Sequence, residues 1–123
     1  QQKIMGDKFI MLTGEDANAL EFNKKGGRGC ISVTANVAAK LCSEMQSASL
    51  TRDDLKLQKK AEDIYRLLTP LNKSLFIESN PSPVKYAASL LKLSTDDVRL
   101  PLVKITDPTK SAVEQALKYA HLI

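Results

Sequence analysis

Tryptophan is absent from this 123-residue chain, aromatic residues make up 5% of it, and there is a single histidine. So few aromatic side chains favour an aliphatic, helix-rich core. A nucleic-acid interface would need a basic face with stacking aromatic side chains, and no segment of the sequence combines the two. The 18 lysine and arginine residues are interleaved with 14 acids, which leaves a net charge of +4. We therefore expect no nucleic-acid partner.

Cysteine is also scarce. Cys30 and Cys42 do not have the spacing of a metal site, and a lone histidine, His121, adds no second ligand type nearby. Both cysteines fall in apolar patterns, which is typical of free, buried thiols in a reducing compartment. We therefore expect no metal, no cofactor and a cytoplasmic location, with His121 in a solvated tail.

Long apolar runs are missing as well. No stretch approaches the roughly 18 apolar residues of a membrane span, and no signal peptide is visible, so we expect no membrane partner. The first residue is Gln1 rather than methionine. We expect the sequence to begin partway through a longer protein, with residues 1–6 forming the end of a helix.

The first third of the chain has the pattern of a strand, a helix and a second strand. A continuous apolar run at residues 9–12 and a β-branched run at residues 30–34 predict two short buried strands, at residues 9–13 and 30–34. Asp16 or Thr13 is predicted to cap the intervening helix, which runs to about Lys25 and ends at glycines. This βαβ pattern predicts two parallel neighbouring strands with a right-handed crossover.

From Val37 onward, the apolar spacing predicts only helices. The predicted inner face of the first helix consists of Val37, Ala38, Leu41, Cys42 and Met45, and that of the longest helix consists of Leu57, Ala61, Ile64, Tyr65, Leu68, Leu71 and Leu75. Pro70 falls inside the longest helical pattern and is predicted to kink or split that helix. The residues predicted to cap helix starts are Asn36, Thr51 in a capping box with Asp54, Ser82 before Pro83, and Asp107 before Pro108.

Two parallel strands and a block of helices cannot close a core by themselves. Each strand would keep an outer edge of unpaired backbone groups, and parallel sheets need further strands beside them and helices on their faces. The pattern therefore predicts part of a larger α/β fold.

Four segments carry a resemblance to a known enzyme family. They are Thr13-Gly14-Glu15-Asp16, the run from Gly26 to Val37, the run from Leu71 to Glu78 with Asn80 to Lys85 after it, and Arg99-Leu100-Pro101-Leu102. In this order and spacing they resemble the dihydrodipicolinate synthases, and together they cover nearly the whole chain.

The resemblance implies a fold class, the C-terminal portion of a TIM (β/α)8 barrel. This portion would hold the last two parallel strands, followed by a C-terminal helical segment. Residues 1–36 would form the last βαβ portion, and residues 37–123 would form the eighth barrel helix with an appended helical domain.

The resemblance also implies a lyase activity for the complete enzyme. Such an enzyme condenses pyruvate with aspartate semialdehyde through a lysine Schiff base, on the route to diaminopimelate and lysine, and its family members are homo-oligomers, with tetramers among them. The catalytic lysine and a proton-shuttling tyrosine are expected upstream of Gln1. We therefore expect no catalytic residue in this chain and no activity from it alone, and we assign Tyr65 and Tyr86 to packing.

The remaining site residues would form part of the pocket wall, because barrel active sites lie at the C-terminal ends of the strands. The resemblance implies substrate-binding roles for Gly14 and Glu15 after the first strand and for the backbone carbonyl of Ile31 on the second, facing pyruvate. Asn80 is the fourth candidate. Simpler roles are a turn glycine for Gly14, a barrel-core side chain for Ile31 and a helix-entry residue for Asn80.

Two alternatives remain open at this point. The N-acetylneuraminate lyases and sugar-acid aldolases share the Schiff base, but residues 32–36 and 80–83 favour the synthase branch. A stand-alone helical interaction module without catalysis is the second alternative, and such a module would fold alone as a monodisperse species.

Overall fold

The computed structural model describes residues 4, 6 and 8–123, so the predicted helix end at residues 1–6 lies largely outside the described residues. A short 3-10 helix, Asp16–Asn18, leads directly into α1. The α-helices of the described residues are α1 Ala19–Lys24, α2 Ala35–Leu50, α3 Leu55–Ser74, α4 Ser82–Leu90 and α5 Asp107–Tyr119. From residue 37 onward, where every residue is described, the regular structure is helical, as predicted.

The two segments predicted as strands, residues 9–13 and 30–34, do not form regular strands in the described chain. They meet in one isolated bridge between Thr13 and Cys30. The bridge is parallel, which agrees with the predicted direction, but the prediction of two complete strands needs correction. A ladder is stable when further strands support it, and within the described residues neither segment has a second neighbour.

α3 is the central helix of the described chain. α2 and α5 pack against it, and α1 and the 3-10 helix also contact it. Its predicted apolar face is buried, as is the facing side of α5. Truncating a fully buried leucine costs roughly 2–5 kcal/mol, so these contacts dominate the cohesion of the helices. The fully buried side chains of the two helices include Leu68, Leu71, Val113 and Leu117.

Pro70 neither ends nor splits α3, which continues through it to Ser74. Splitting, one of the two predicted outcomes, is therefore wrong. The buried face of α3 continues on both sides of Pro70, because Leu68 and Leu71 are both in the core. Packing on both sides thus holds the helix together across the missing amide donor.

α2 joins the two parts into which the sequence was divided. It begins at Ala35, and its predicted inner face is confirmed, with Val37, Cys42 and Met45 buried. The division into residues 1–36 and 37–123 stays a prediction about a complete barrel.

The start of α3 differs from the predicted capping box. Asp54 is itself the capping residue, and its carboxylate accepts hydrogen bonds from the amides of Lys56 at 2.9 Å and Leu57 at 3.1 Å. The Thr51 hydroxyl instead donates to the Ser47 carbonyl at 3.4 Å. An aspartate at this position satisfies two free amides alone, so Thr51 is not needed.

The other predicted caps lie inside their helices. Two of these side chains donate to backbone carbonyls instead of capping a helix. The Asn36 amide donates to the Val33 carbonyl at 2.9 Å, and the Ser82 hydroxyl donates to the Val103 carbonyl at 2.9 Å. The residues at the N-cap positions are Thr34 for α2, Pro81 for α4 and Thr106 for α5, and none of these three makes a side-chain capping hydrogen bond. The predicted Asn36, Ser82 and Asp107 lie in the first turn.

Candidate functional site

Three of the four candidate site residues directly follow the bridge between Thr13 and Cys30. The Thr13 amide donates to the Gly29 carbonyl at 3.0 Å, and the Ile31 amide donates to the Thr13 carbonyl at 2.8 Å. Since Gly14 and Glu15 follow Thr13 directly, this pairing places Ile31 beside them.

Gly14 faces open space. Among the described residues, no atom outside its two chain neighbours lies within 4 Å of the position where a Cβ would stand, and the backbone of Gly14 does not adopt a positive φ. Neither a turn nor packing within the described chain therefore requires glycine at this position. The open space leaves room for a ligand or for another part of a larger protein.

Glu15 is exposed and caps the 3-10 helix, a role the sequence assigned to Asp16 or Thr13. Its carboxylate accepts from the Ala17 amide at 3.3 Å, and its own amide donates to the Thr13 hydroxyl at 3.1 Å. The predicted cap is therefore corrected to Glu15. Capping uses one carboxylate oxygen, and contact of Glu15 with a substrate stays a prediction.

Ile31 has an exposed side chain and an available carbonyl. The side chain is 71% exposed, so its burial in a barrel core stays a prediction for a complete barrel. Among the described residues, no group donates a hydrogen bond to the Ile31 carbonyl. A backbone carbonyl without an internal partner must find one in water, in a ligand or in another chain segment.

Asp16 organises this end of the molecule, although the sequence suggested only a helix cap for it. It is 7% exposed. Its carboxylate accepts from the amides of Val33 at 2.9 Å and Thr34 at 3.2 Å and from the Ser32 hydroxyl. The sequence offered one signal for this role, which is an acid directly after the first predicted strand and a serine and a threonine at the end of the second. This pattern does not specify which groups form hydrogen bonds with each other.

Asn80 lies at an exposed turn between α3 and α4 and lines two cavities, of about 640 Å³ and about 470 Å³. Val33 and Asn36, which follow Ile31 along the chain, also line the smaller cavity. The other three site candidates line neither cavity. The structure therefore connects Asn80 with the segment after Ile31 but does not place it beside Gly14 or Glu15.

Among the described lysines, two have pKa values displaced from their usual range, and both are displaced upward. A hydrogen bond to Glu62 raises the pKa of Lys24, and hydrogen bonds to Asp96 and Asp97 raise the pKa of Lys104. A Schiff-base nucleophile needs a neutral amine and therefore a lowered pKa. Neither lysine suits that role.

Both cysteines are free, as predicted, with Cys42 buried and Cys30 half-buried. Burial, assisted by the charge of Asp16, raises the pKa of Cys30 to about 12 and that of Cys42 to about 11. They share a cavity of about 210 Å³ with Asp16. Because only a thiolate is a strong nucleophile, these thiols are unsuited to attack a substrate near neutral pH.

Tyr65 and Tyr86 pack against the core, as predicted. The Tyr65 hydroxyl donates to the Ala17 carbonyl at 2.6 Å, which ties α3 to the 3-10 helix. The Tyr86 hydroxyl donates to Glu114 at 2.6 Å, and this hydrogen bond raises the pKa of Tyr86 to about 12. Both hydroxyls therefore have structural partners.

In the part of the chain that the structure describes, no group of three or more histidine, cysteine, aspartate or glutamate side chains could hold a metal ion. None of the helices described there has both the length and the apolar character needed to cross a membrane.

The model of the Dihydrodipicolinate synthetase family matches residues 1–120. Two similar curated proteins are both 4-hydroxy-tetrahydrodipicolinate synthases. The one from Pelagibacter ubique is 57% identical over 124 residues, and the one from Methylobacterium radiotolerans is 52% identical over 123. Both matches cover all of this chain but only 42% and 40% of the relatives. The chain thus spans about two fifths of their length.

Solved structures resemble the chain over the same portion. A chloride-inhibited dihydrodipicolinate synthase from Acinetobacter baumannii, complexed with pyruvate, has a TM-score of 0.90 and 33% identity and covers 99% of this chain and 40% of its own. The enzyme from Aquifex aeolicus has a TM-score of 0.89, 33% identity and coverages of 98% and 40%. The chain therefore corresponds to a partial region of such barrel enzymes. The comparisons support neither the N-acetylneuraminate lyase branch nor a stand-alone helical module.

Proposed function

The chain belongs to the dihydrodipicolinate synthetase family, and from this premise we propose that it forms part of the pocket wall of a pyruvate-condensing lyase. The complete enzyme would join pyruvate to aspartate semialdehyde in the biosynthesis of diaminopimelate and lysine. The lysine that forms the Schiff base and the tyrosine that shuttles protons would lie in the three fifths of the relatives' length that this chain does not span.

One observation carries this proposal beyond family membership. The parallel bridge holds Gly14 and Glu15 beside Ile31, and in the described part of the chain no residue beyond its two neighbours comes within 4 Å of a Cβ placed at Gly14. In a (β/α)8 barrel this is the end at which substrates bind. We assign Gly14 to close approach of the substrate, the Ile31 carbonyl to contact with pyruvate, and Glu15 to the rim of the pocket. Asn80 would line the entrance.

The chemistry assigned to this chain is positioning rather than covalent catalysis. The amine that attacks the pyruvate carbonyl would come from the remainder of the enzyme, while this chain limits where the carboxylate and methyl group of pyruvate can lie. Holding a substrate in one orientation lowers the entropic part of the barrier. The proposal includes a homo-oligomeric assembly of the complete enzyme and a cytoplasmic location.

The test uses a chimera, in which this chain replaces the matching region of the Pelagibacter ubique relative. Because the two sequences are 57% identical over the whole of this chain, this chain should pack correctly against the portion retained from the relative. The rate of condensation of pyruvate with aspartate semialdehyde is measured for the chimera, for the intact relative and for the relative with the region deleted. The deletion is the matched control, because it retains everything that this chain does not supply.

We expect the chimera to recover activity within roughly tenfold of the intact relative and the deletion to be inactive. A chimera that has the circular dichroism and elution volume of the relative but no condensing activity would contradict the proposal. Activity with a sugar aldehyde in place of aspartate semialdehyde would instead favour the neuraminate lyase branch.

A further inference from the structure

We propose that Asp16 is a positioning residue, whose carboxylate fixes the backbone after Ile31 and thereby the direction of the Ile31 carbonyl. The inference rests on the proposed function, in which that carbonyl contacts pyruvate. Asp16 itself is not assigned a contact with the substrate.

The contacts of Asp16 are concentrated on three consecutive residues. One carboxylate oxygen accepts from the amides of Val33 at 2.9 Å and Thr34 at 3.2 Å, and the other accepts from the Ser32 hydroxyl. A longer contact at 3.9 Å joins the Cys30 thiol to the same carboxylate. A single side chain from one segment thus holds the part of the other segment that follows Ile31.

The backbone at Ile31 is held before and after the residue. Its amide donates to the Thr13 carbonyl at 2.8 Å, and Asp16 holds the residues that follow. With the amide on one side and the next three residues on the other both fixed, the peptide plane that carries the Ile31 carbonyl has little freedom to rotate.

Two further hydrogen bonds extend this arrangement into the helices. The Ser32 hydroxyl accepts from the Ala35 amide at 2.8 Å, at the start of α2. The Thr34 hydroxyl donates to the Asn72 side chain on α3 at 2.7 Å, in a buried position. Asp16 therefore connects the site to the rigid part of the fold, which is how a precise position is maintained.

A carboxylate suits these donors better than an amide does. Three donors converge on Asp16, and a carboxylate offers two acceptor oxygens. An asparagine of the same shape offers one, which can still accept from the amides of Val33 and Thr34 but lacks the negative charge that strengthens these bonds. Its NH2 group would face the Ser32 hydroxyl, which would then have to accept a hydrogen bond instead of donating one. The segment after Ile31 would therefore be held more weakly.

The experiment introduces Asp16→Asn and Ser32→Ala into the chimera, with Asp63→Asn as the matched control. Asp63 is an exposed α3 carboxylate whose nearest cation, Arg66, is 3.9 Å away, so its conversion to an amide should change nothing near the site. Steady-state kinetics give kcat/KM separately for pyruvate and for aspartate semialdehyde. Hydrogen exchange of the peptide covering residues 31–36 is measured on the same proteins.

We expect Asp16→Asn to lower kcat/KM for pyruvate about 10- to 100-fold, because small misplacements carry penalties of that size, while kcat/KM for aspartate semialdehyde changes less than about threefold. Exchange in residues 31–36 should accelerate about tenfold or more. Ser32→Ala removes one of the three donors and should give a smaller change in the same direction, and Asp63→Asn should give none.

Unchanged kinetics for pyruvate in Asp16→Asn, or an equal loss for both substrates, would overturn the inference. If Asp16→Asn does not fold, Ser32→Ala decides, and unaltered pyruvate kinetics in that variant would count against Asp16. An inactive chimera that is well folded contradicts the proposed function instead. In that case the exchange of residues 31–36 still tests whether Asp16 holds the segment, and unaltered exchange in Asp16→Asn would overturn that claim.

Discussion

Two glycines in the first third of the chain are glycine for different reasons. A Cβ at Gly14 would meet open space, whereas a Cβ at Gly27 would lie 2.1 Å from the Phe22 ring and 2.7 Å from its carbonyl oxygen. The packing of the described chain therefore leaves room for a larger side chain at Gly14. At Gly27 the contact with Phe22 of α1 leaves no room for a Cβ. We therefore expect a substitution at Gly14 to affect contacts with groups outside the described chain rather than internal packing.

This contrast predicts opposite consequences for two identical substitutions in the chimera. Gly27→Ala should lower the free energy of unfolding by roughly 1–3 kcal/mol through overpacking. Gly14→Ala should change it by about 0.5 kcal/mol or less, as is usual for exposed positions, but should lower kcat/KM for pyruvate about tenfold or more by crowding the substrate. Urea denaturation and steady-state kinetics measure the two effects. Full pyruvate kinetics in Gly14→Ala would show that Gly14 does not line the pocket.

The sequence allowed candidate site residues to be named, but it did not predict the hydrogen bonds that they form. Gly14, Glu15 and Ile31 could be named because the segments that carry them resemble those of a known family, whose barrel sites lie at the C-terminal ends of the strands. Asp16 was missed because its partners are backbone amides 17 and 18 residues away, and backbone amides leave no signature in the sequence. The capping role of Glu15 was missed for a related reason, since several polar residues at one turn could each serve as the cap.

At the scale of the helices, apolar periodicity was a sound guide and helix starts were not. The inner faces of α2 and α3 lie where the spacing predicted, because burial of a helical face requires that spacing. The starts shifted because polar and proline residues locate a helix start only to within a residue or two. At α2, α4 and α5 no side chain caps the helix, and at α3 Asp54 alone does so. Two predicted strands became a single bridge because a strand depends on its neighbours and cannot be judged from its own residues.

The corrected start of α3 predicts unequal effects for two neighbouring substitutions. Asp54→Ala removes the acceptor for the amides of Lys56 and Leu57 and should cost about 1 kcal/mol of folding free energy. Thr51→Ala, the matched control, should cost less than about 0.5 kcal/mol because its hydroxyl bond is long and exposed. Chemical denaturation of the chimera distinguishes the two. A larger cost for Thr51→Ala would restore the capping box predicted from the sequence.

At the scale of the whole molecule, the chain exposes apolar side chains that a complete barrel would cover. Ile10 and Ile31 are each 71% exposed, and Phe9 and Leu12 are each 52% exposed. They lie on or next to the two bridged segments, whose outer edges also carry unpaired backbone groups. An exposed patch of this kind marks a surface that normally contacts other protein.

The isolated chain should therefore self-associate at about tens of micromolar, the range in which such surfaces aggregate. Replacing Ile10 by Glu should reduce association by introducing a charge into the patch. Leu55→Glu is the control, because Leu55 is 85% exposed but lies at the start of α3, away from the patch in sequence. Sedimentation velocity measures the effect. A compact monomer at these concentrations would favour a self-sufficient module over a portion of a barrel.

The central claim is that this chain contributes pocket wall and not the nucleophile. Borohydride reduction of the chimera in the presence of pyruvate, followed by peptide mapping with mass spectrometry, tests it most directly, because reduction makes a Schiff base permanent at the lysine that formed it. We predict one dominant pyruvyl-lysine in the portion retained from the Pelagibacter ubique relative and no stoichiometric adduct on any lysine of this chain. A dominant adduct on a lysine within the 123 residues would contradict the account.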